Sequence, residues 1–197
     1  MASVGFFDRQ FQQQVKEGSF ALNPFEVLAL DYLEGDVLEL GAGLGNLSLA
    51  AARRGHDVVA VEMSPTAITR IRKDAASDDL SVEVIHANLA DWEADRDFDT
   101  VVAIGLLMFF QEEGAIRMLE TMRRHVRPGG RLILNVLIEG TTFLDMFEGD
   151  YYHLFAQGEL EGLLSDWEPL LSQRDSFEAT GDSAKEFLTL VYRRPVE

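Results

Sequence analysis

Residues 37–49, Val-Leu-Glu-Leu-Gly-Ala-Gly-Leu-Gly-Asn-Leu-Ser-Leu, constrain this chain more than any other segment. They read as a strand that runs through three glycines directly into a helix. Glycines are needed where a chain turns sharply and where a ligand must lie against bare backbone without a Cβ in the way. In open α/β sheets that turn, at the carboxyl end of the strand, is where ligands bind.

The remaining pattern supplies the sheet. Asp36–Leu40, His56–Glu62, Val82–Ile85, Asp99–Ile104 and Arg131–Ile138 predict strands, and helical stretches separate them. Helices are predicted over Leu47–Arg54, from the Ser64-Pro65 cap to about Ala76, and over Ala115–Val126, which Pro128-Gly129-Gly130 stops. Asn23-Pro24 repeats the cap and proline device and starts a helix through about Tyr32. The tail departs from this alternation. Gly158–Leu164 reads as a helix, and Trp167–Phe177 and Phe187–Tyr192 read as two strands joined at Gly181 without a helix between them. The expected fold is therefore α/β: a Rossmann-like, doubly wound, seven-stranded sheet, mostly parallel, with an antiparallel C-terminal strand hairpin. At 197 residues one domain spanning 1–197 is expected. Within it, residues 1–34 form an N-terminal arm and helix expected to cover the site. Phe6, Phe7 and Phe11 would be odd on a free tail, so they either pack as a helix or close as a lid.

Composition narrows the partners. Seventeen basic residues against 34 acidic ones give a net charge of −17, a field that repels a phosphate backbone, so no nucleic-acid partner is expected. Twelve of the acids fall between Glu139 and Glu186, opposed there only by Arg174 and Lys185. They are either a solvated surface or an acidic mouth suited to a neutral or cationic substrate. The longest apolar run, Val101–Phe110, is half a membrane span, and the first residues carry no basic region of a secretory signal. There is no cysteine, and no two of the four histidines stand at metal-ligand spacing, so no protein-bound metal is expected. No membrane partner, a cytoplasmic location and a monomer or homodimer are the matching expectations.

Glu62 ends the second strand, about twenty residues beyond Gly41. A carboxylate there accepts hydrogen bonds from a ribose diol. A pyrophosphate fingerprint needs a third helix-packing glycine, and here Asn46 takes that place. Glu39 also stands two residues before Gly41, unfavourable beside a pyrophosphate but favourable beside a cationic amino-acid moiety.

The Glu-x-Gly-x-Gly-x-Gly form resembles motif I of the class I S-adenosylmethionine (SAM) dependent methyltransferases. The resemblance continues through Glu62, His86-Ala-Asn88-Leu89, Phe98–Ile104 and Arg127-Pro-Gly-Gly-Arg-Leu-Ile-Leu134, covering about residues 36–138 in order. It implies that Glu39, Gly41, Ala42, Gly43, Gly45, Glu62, Met63, Asn88, Leu89 and Ile104 bind SAM, with Glu62 on the ribose and the Asn88 segment at the adenine. It also implies S-adenosylhomocysteine (SAH) as product. Asn88 departs from the Asp usual in the family. A narrower resemblance is to the tellurite-resistance (TehB-like) methyltransferase group, through Leu107-Met-Phe-Phe110, Phe155-Ala-Gln-Gly-Glu-Leu160 and Trp167. The basic character expected for holding an oxyanion is missing, so fold, cofactor and reaction type carry over and tellurite does not.

The expected activity is methyl transfer from SAM to a small molecule: neutral, cationic, or a soft thiol, selenol or metalloid. No catalytic residue is singled out. Substrate-pocket candidates are Met108 and Phe109 after the fourth strand, and Tyr151, Tyr152 and His153 beyond the fifth. Two rivals share the loop and acid. An NAD-type Rossmann oxidoreductase should replace the hairpin by a parallel sixth strand, and a non-catalytic SAM-binding sensor would bind without turnover.

Overall fold

The computed structural model describes residues 4–147 and 149–196. Five strands, β1 (Val37–Leu40), β2 (Val58–Glu62), β3 (Val82–His86), β4 (Phe98–Ile104) and β5 (Val126–Leu137), are mutually parallel. Two more, β6 (Glu168–Glu178) and β7 (Ala184–Arg193), complete the order β3-β2-β1-β4-β5-β7-β6. β7 runs antiparallel to both neighbours and lies between β5 and β6. The predicted hairpin is thus built with its second strand against the parallel sheet.

Helices cover both faces. On one, α5 (Glu112–Arg124) and the short α6 (Glu159–Leu163) face a core that includes Leu38, Val101, Leu119, Met122, Leu132, Leu160 and Leu190. On the other, α2 (Pro24–Leu30) and α3 (Asn46–Arg53) enclose Ala29, Leu30, Leu47, Ala51, Val102, Ile133 and Val191. This division follows the two-residue period of the strands: Leu132 and Leu134 face the first layer and Ile133 the second. α4 (Pro65–Ser77) packs beside β3, and α1 (Val4–Glu17) crosses α4. No helix among the described residues is long and apolar enough to cross a membrane.

Local chemistry sets the boundaries. The Asn23 side chain accepts from the N–H groups of Phe25 and Glu26, both at 2.9 Å, and the Glu26 carboxylate accepts from Asn23 N–H at 2.7 Å, a reciprocal cap that starts α2. Ser64 caps α4 through Ala67 N–H. One boundary differs from the sequence expectation. α5 ends at Arg124, with His125 as its C-cap, so Pro128-Gly129-Gly130 does not stop the helix; those residues lie inside β5, at the register shift against β4. Gly130 suits that place because a Cβ there would sit 2.6 Å from the Asp99 carbonyl oxygen.

Candidate active site

β1, β2 and β4 end on one edge of the sheet, and a cavity of about 320 Å³ opens there. Gly41, Ala42 and Gly43 form one wall; Glu62, Met63 and Ser64 form the next; Ile104, Gly105, Leu106 and Phe109 close the side after β4. α1 forms the roof with Phe7, Gln10, Phe11 and Gln14, and the start of α2 adds Asn23 and Glu26.

The glycine loop is tied to the acid beyond it. Glu62 accepts from Gly43 N–H at 2.8 Å through one oxygen, and from Met63 and Ser64 N–H, each at 2.8 Å, through the other. The carboxylate therefore joins the β1–α3 loop to the β2–α4 turn, and the oxygen that accepts only Gly43 N–H keeps one acceptor site in a side chain that lines the cavity. Gly43 has φ +53°, and a Cβ on it would lie 3.4 Å from the Phe11 ring across the opening. Gly45 is different: it is the left-handed N-cap of α3, and a Cβ there would run into Ile71 of α4. Gly45 lets two helices approach, and it does not line the cavity.

Glu39 is 3% exposed in the middle of a strand whose residues are all buried. Its carboxyl receives one hydrogen bond, from Ser48 Oγ. Burial pushes its pKa from 4.5 up to about 8, opposed by the Ser48 bond and reinforced by Glu26 and Glu62. Burial also raises the Glu26 carboxyl, which the Asn23 N–H and the charge of Arg70 pull back. Glu26, Glu39 and Glu62 all line the cavity, and among the described residues no Lys, Arg or His does.

Eight of the ten residues expected at a cofactor, Glu39, Gly41, Ala42, Gly43, Glu62, Met63, Leu89 and Ile104, stand in this wall. Asn88 does not, because its side chain is engaged in its own turn: Nδ2 donates to Asp91 at 2.8 Å and Oδ1 accepts from Ala90 N–H at 3.1 Å. Of the substrate-pocket candidates only Phe109 reaches the cavity. Met108 is buried beside Leu137 and Phe147, Tyr152 stacks on Phe147 at 4.5 Å, and Tyr151 is exposed. His153 Nε2 meets Glu159 at 3.2 Å while its ring abuts Phe155. Met108, Phe147 and Tyr152 share one apolar cluster with Phe109. None of the acids of the tail lines the cavity either; Glu148 among them lies outside the described residues.

Sequence reasoning missed Gln10, Gln14, Asn23, Glu26 and Asn46 as wall residues. The one available signal was the Asn23-Pro24 cap, which marks a helix start but says nothing of what lies above it.

The placement of β7 separates the two dinucleotide-type folds, since a parallel sixth strand belongs to the oxidoreductase form and this strand is antiparallel. A family model described as a methyltransferase domain matches residues 37–130. The sheet order and this match give the chain a Rossmann-like, methyltransferase-type fold. The likeness of the chain to known proteins is broad and moderate. It is 26% identical over 165 residues to hemagglutinin 1 of Eikenella corrodens, covering 80% of this chain and 54% of that protein. It is 33% identical over 129 residues to ribosomal protein L11 methyltransferase of Geobacter metallireducens, covering 62% and 41%. The chain thus spans about half or less of these curated relatives. TehB from Haemophilus influenzae superposes with a TM-score of 0.78 at 20% identity over 92% of this chain and 65% of that one. Magnesium protoporphyrin IX methyltransferase from Synechocystis PCC 6803, solved with bound SAH, gives 0.65 at 17% identity over 97% and 83%.

Proposed function

We propose that this protein binds SAM in the cavity at the carboxyl edge of the sheet and transfers its methyl group to a small molecule that is neutral, cationic or a soft nucleophile. The observation that carries the reading is the acidity of the wall: three carboxyl side chains, Glu26, Glu39 and Glu62, the buried Glu39 ionising when a cation is beside it, and no basic side chain among the described lining residues. Such a wall opposes the pyrophosphate of NAD and favours a sulfonium cation. Glu62 takes the ribose hydroxyls, Leu89 and the Asn88 turn border the adenine, and Glu39 lies at the amino-acid end.

Bound SAM would supply an activated methyl group, its carbon taking the new bond from the acceptor in line while the thioether leaves with the C–S bond electrons. The chain's own part is to orient the two partners and exclude water, which is worth roughly 7–11 kcal/mol in favourable cases. Phe7, Phe11, Leu106 and Phe109 give the acceptor side an apolar surface, with Phe7 edge-on to Phe109 at 5.0 Å. Among the described lining residues there is no histidine or lysine, and the reading gives the three carboxyls to the cofactor, which favours an acceptor that is nucleophilic without a base, as a thiolate, selenolate or free amine is.

Calorimetry with SAH and NAD tests the cofactor: SAH binding without NAD binding is expected, and the reverse overturns the reading. Labelled SAM with a panel of thiol, selenol, amine and phenol acceptors tests turnover. An enzyme that binds SAH yet labels nothing is a sensor.

The arm, of which residues 4–34 are described, acts through Phe7, Phe11, Asn23 and Glu26 as the cover of this site. Asp8 of α1 accepts from Ser64 Oγ at 2.5 Å and from Thr66 N–H at 3.3 Å, adding a cap to α4 from outside that helix, and the Ser64 bond holds its carboxyl below the ordinary value. Asp8→Ala should remove about 1 kcal/mol of cap energy. The expected result is faster amide exchange across residues 4–17 and faster SAH dissociation. Unchanged exchange in α1 refutes Asp8 as the latch.

A further inference from the structure

The edge of the sheet opposite the cavity carries an open groove of about 810 Å³. It lies where β5 begins and the antiparallel β7 ends, at the amino ends of the parallel strands and away from the glycine loop. Its charge runs against that of the molecule. Four of the 17 basic residues, Arg117, Arg123, Arg124 and Arg194, line it against two acids, Glu120 and Asp166, in a chain of net charge −17. Trp167, Pro128 and Pro195 supply its apolar surface.

Helix α5 accounts for only part of this. Arg123 and Arg124 stand in its last turn, where cations suit the helix dipole. Arg123 is also fully engaged: it donates to both Asp166 oxygens, at 2.7 and 2.6 Å, and to the Leu163 carbonyl at 2.5 Å, with its guanidinium 5.4 Å over the Trp167 ring. Arg117 and Arg194 have no such account. Arg117 lies two turns before Arg124 on the same helix face, and its one carboxylate partner among the described residues, the exposed Glu113 at 3.5 Å, is a pairing of little worth. Arg194 donates from Nη1 to the Arg124 and Val126 carbonyls, at 3.2 and 2.5 Å, which fixes its fork across the end of α5 without a carboxylate partner among the described residues.

Guanidinium forks match carboxylates two N–H groups at a time, and arginine beside an aromatic side chain is the composition of an interface centre. We propose that this groove docks an acidic segment of a partner protein, with Arg117, Arg124 and Arg194 receiving its carboxylates and Pro128 and Pro195 receiving its side-chain carbons. The field of the molecule selects that occupant. A nucleic acid would run past the groove onto the acidic remainder of the surface, and a second copy would bring a further charge of −17. A short acidic segment meets only the arginines, because exposed charges more than about 8 Å away are screened in physiological salt. The docking is independent of what the cavity at the other edge binds.

The probe is a fluorescein-labelled peptide of about ten glutamates, titrated into the full chain by anisotropy at low and high salt. Arg117→Glu in the groove and Arg174→Glu in β6, roughly 20 Å along the strand from Trp167, change the net charge equally. Both positions are exposed, so the fold is retained, as melting curves check. Binding at low salt should weaken about five-fold or more in Arg117→Glu and less than about two-fold in Arg174→Glu. Absence of binding at low salt, or equal weakening in the two variants, overturns the proposal. So does an oligothymidylate that binds more tightly than the peptide and is lost in Arg117→Glu, which makes the groove a nucleic-acid surface. Self-association in sedimentation that Arg117→Glu abolishes gives the groove to a second copy and overturns it as well.

Discussion

Glu39→Gln is expected to stabilise the ligand-free protein by about 3–5 kcal/mol at pH 8.5 and by almost nothing at pH 4.5, as read by urea unfolding at each pH. The sign follows from linkage. Burial raises the folded-state pKa of Glu39 to about 8, whereas in the unfolded chain it stays near 4.5. Between those values the folded state holds a proton that the unfolded state has released, so stability falls as pH rises through the window and levels off above about 8. A tenfold difference in proton affinity between the two states is worth about 1.4 kcal/mol, which sets the size of the effect. Glutamine mimics the neutral acid and does not titrate, so the difference between the two proteins isolates Glu39 from the other 33 acids. A gain of equal size at both pH values, or a loss at pH 8.5, contradicts a buried, proton-holding Glu39. A residue that destabilises the empty protein at the pH where it is charged is consistent with a site built for a cation, with stability exchanged for binding.

Glu39 also shows where the sequence is informative. A carboxylate inside Val-Leu-Glu-Leu, followed by glycines, marks a charge held in a buried strand, because the flanking residues leave it nowhere else to go. The same holds for Glu62, whose position at the end of an apolar strand is a matter of local order. The five parallel strands and the hairpin were legible for that reason: each depends on a pattern within ten residues or so. What failed to show depends on where distant segments return. Tyr151, Tyr152 and His153 do follow β5, but the chain there turns so that Phe147 and Phe155 receive Tyr152 and His153, and only Phe109 reaches the opening. Asn88 sits at the expected place with its amide engaged by Asp91. The Phe6, Phe7 and Phe11 cluster signalled an arm with something to cover, whereas Gln10 and Gln14 of the same helix signalled nothing, since a polar helix face is ordinary on any surface.

The glycine motif tests this distinction most sharply, because its members are alike in sequence and unlike in surroundings. Gly43→Val places a branched side chain at φ +53° in the space between the loop and Phe11. The backbone strain is roughly 1–2 kcal/mol, and the larger effect is on the ligand, whose path against bare backbone is blocked. SAH affinity should fall by about a hundred-fold or more, the order of magnitude of several lost contacts, with the fold retained. Gly45→Ala reverses the balance. Its Cβ meets Ile71 at φ +73°, so left-handed strain adds to overpacking between α3 and α4, about 2–5 kcal/mol together. SAH affinity measured well below the lowered melting temperature should stay within about three-fold, since that residue faces α4 and not the cavity. Melting curves and titrations on the two variants thus give crossed results if one glycine serves the ligand and the other the packing. Parallel losses of affinity in both variants would place Gly45 in the binding surface and return the motif to a single role.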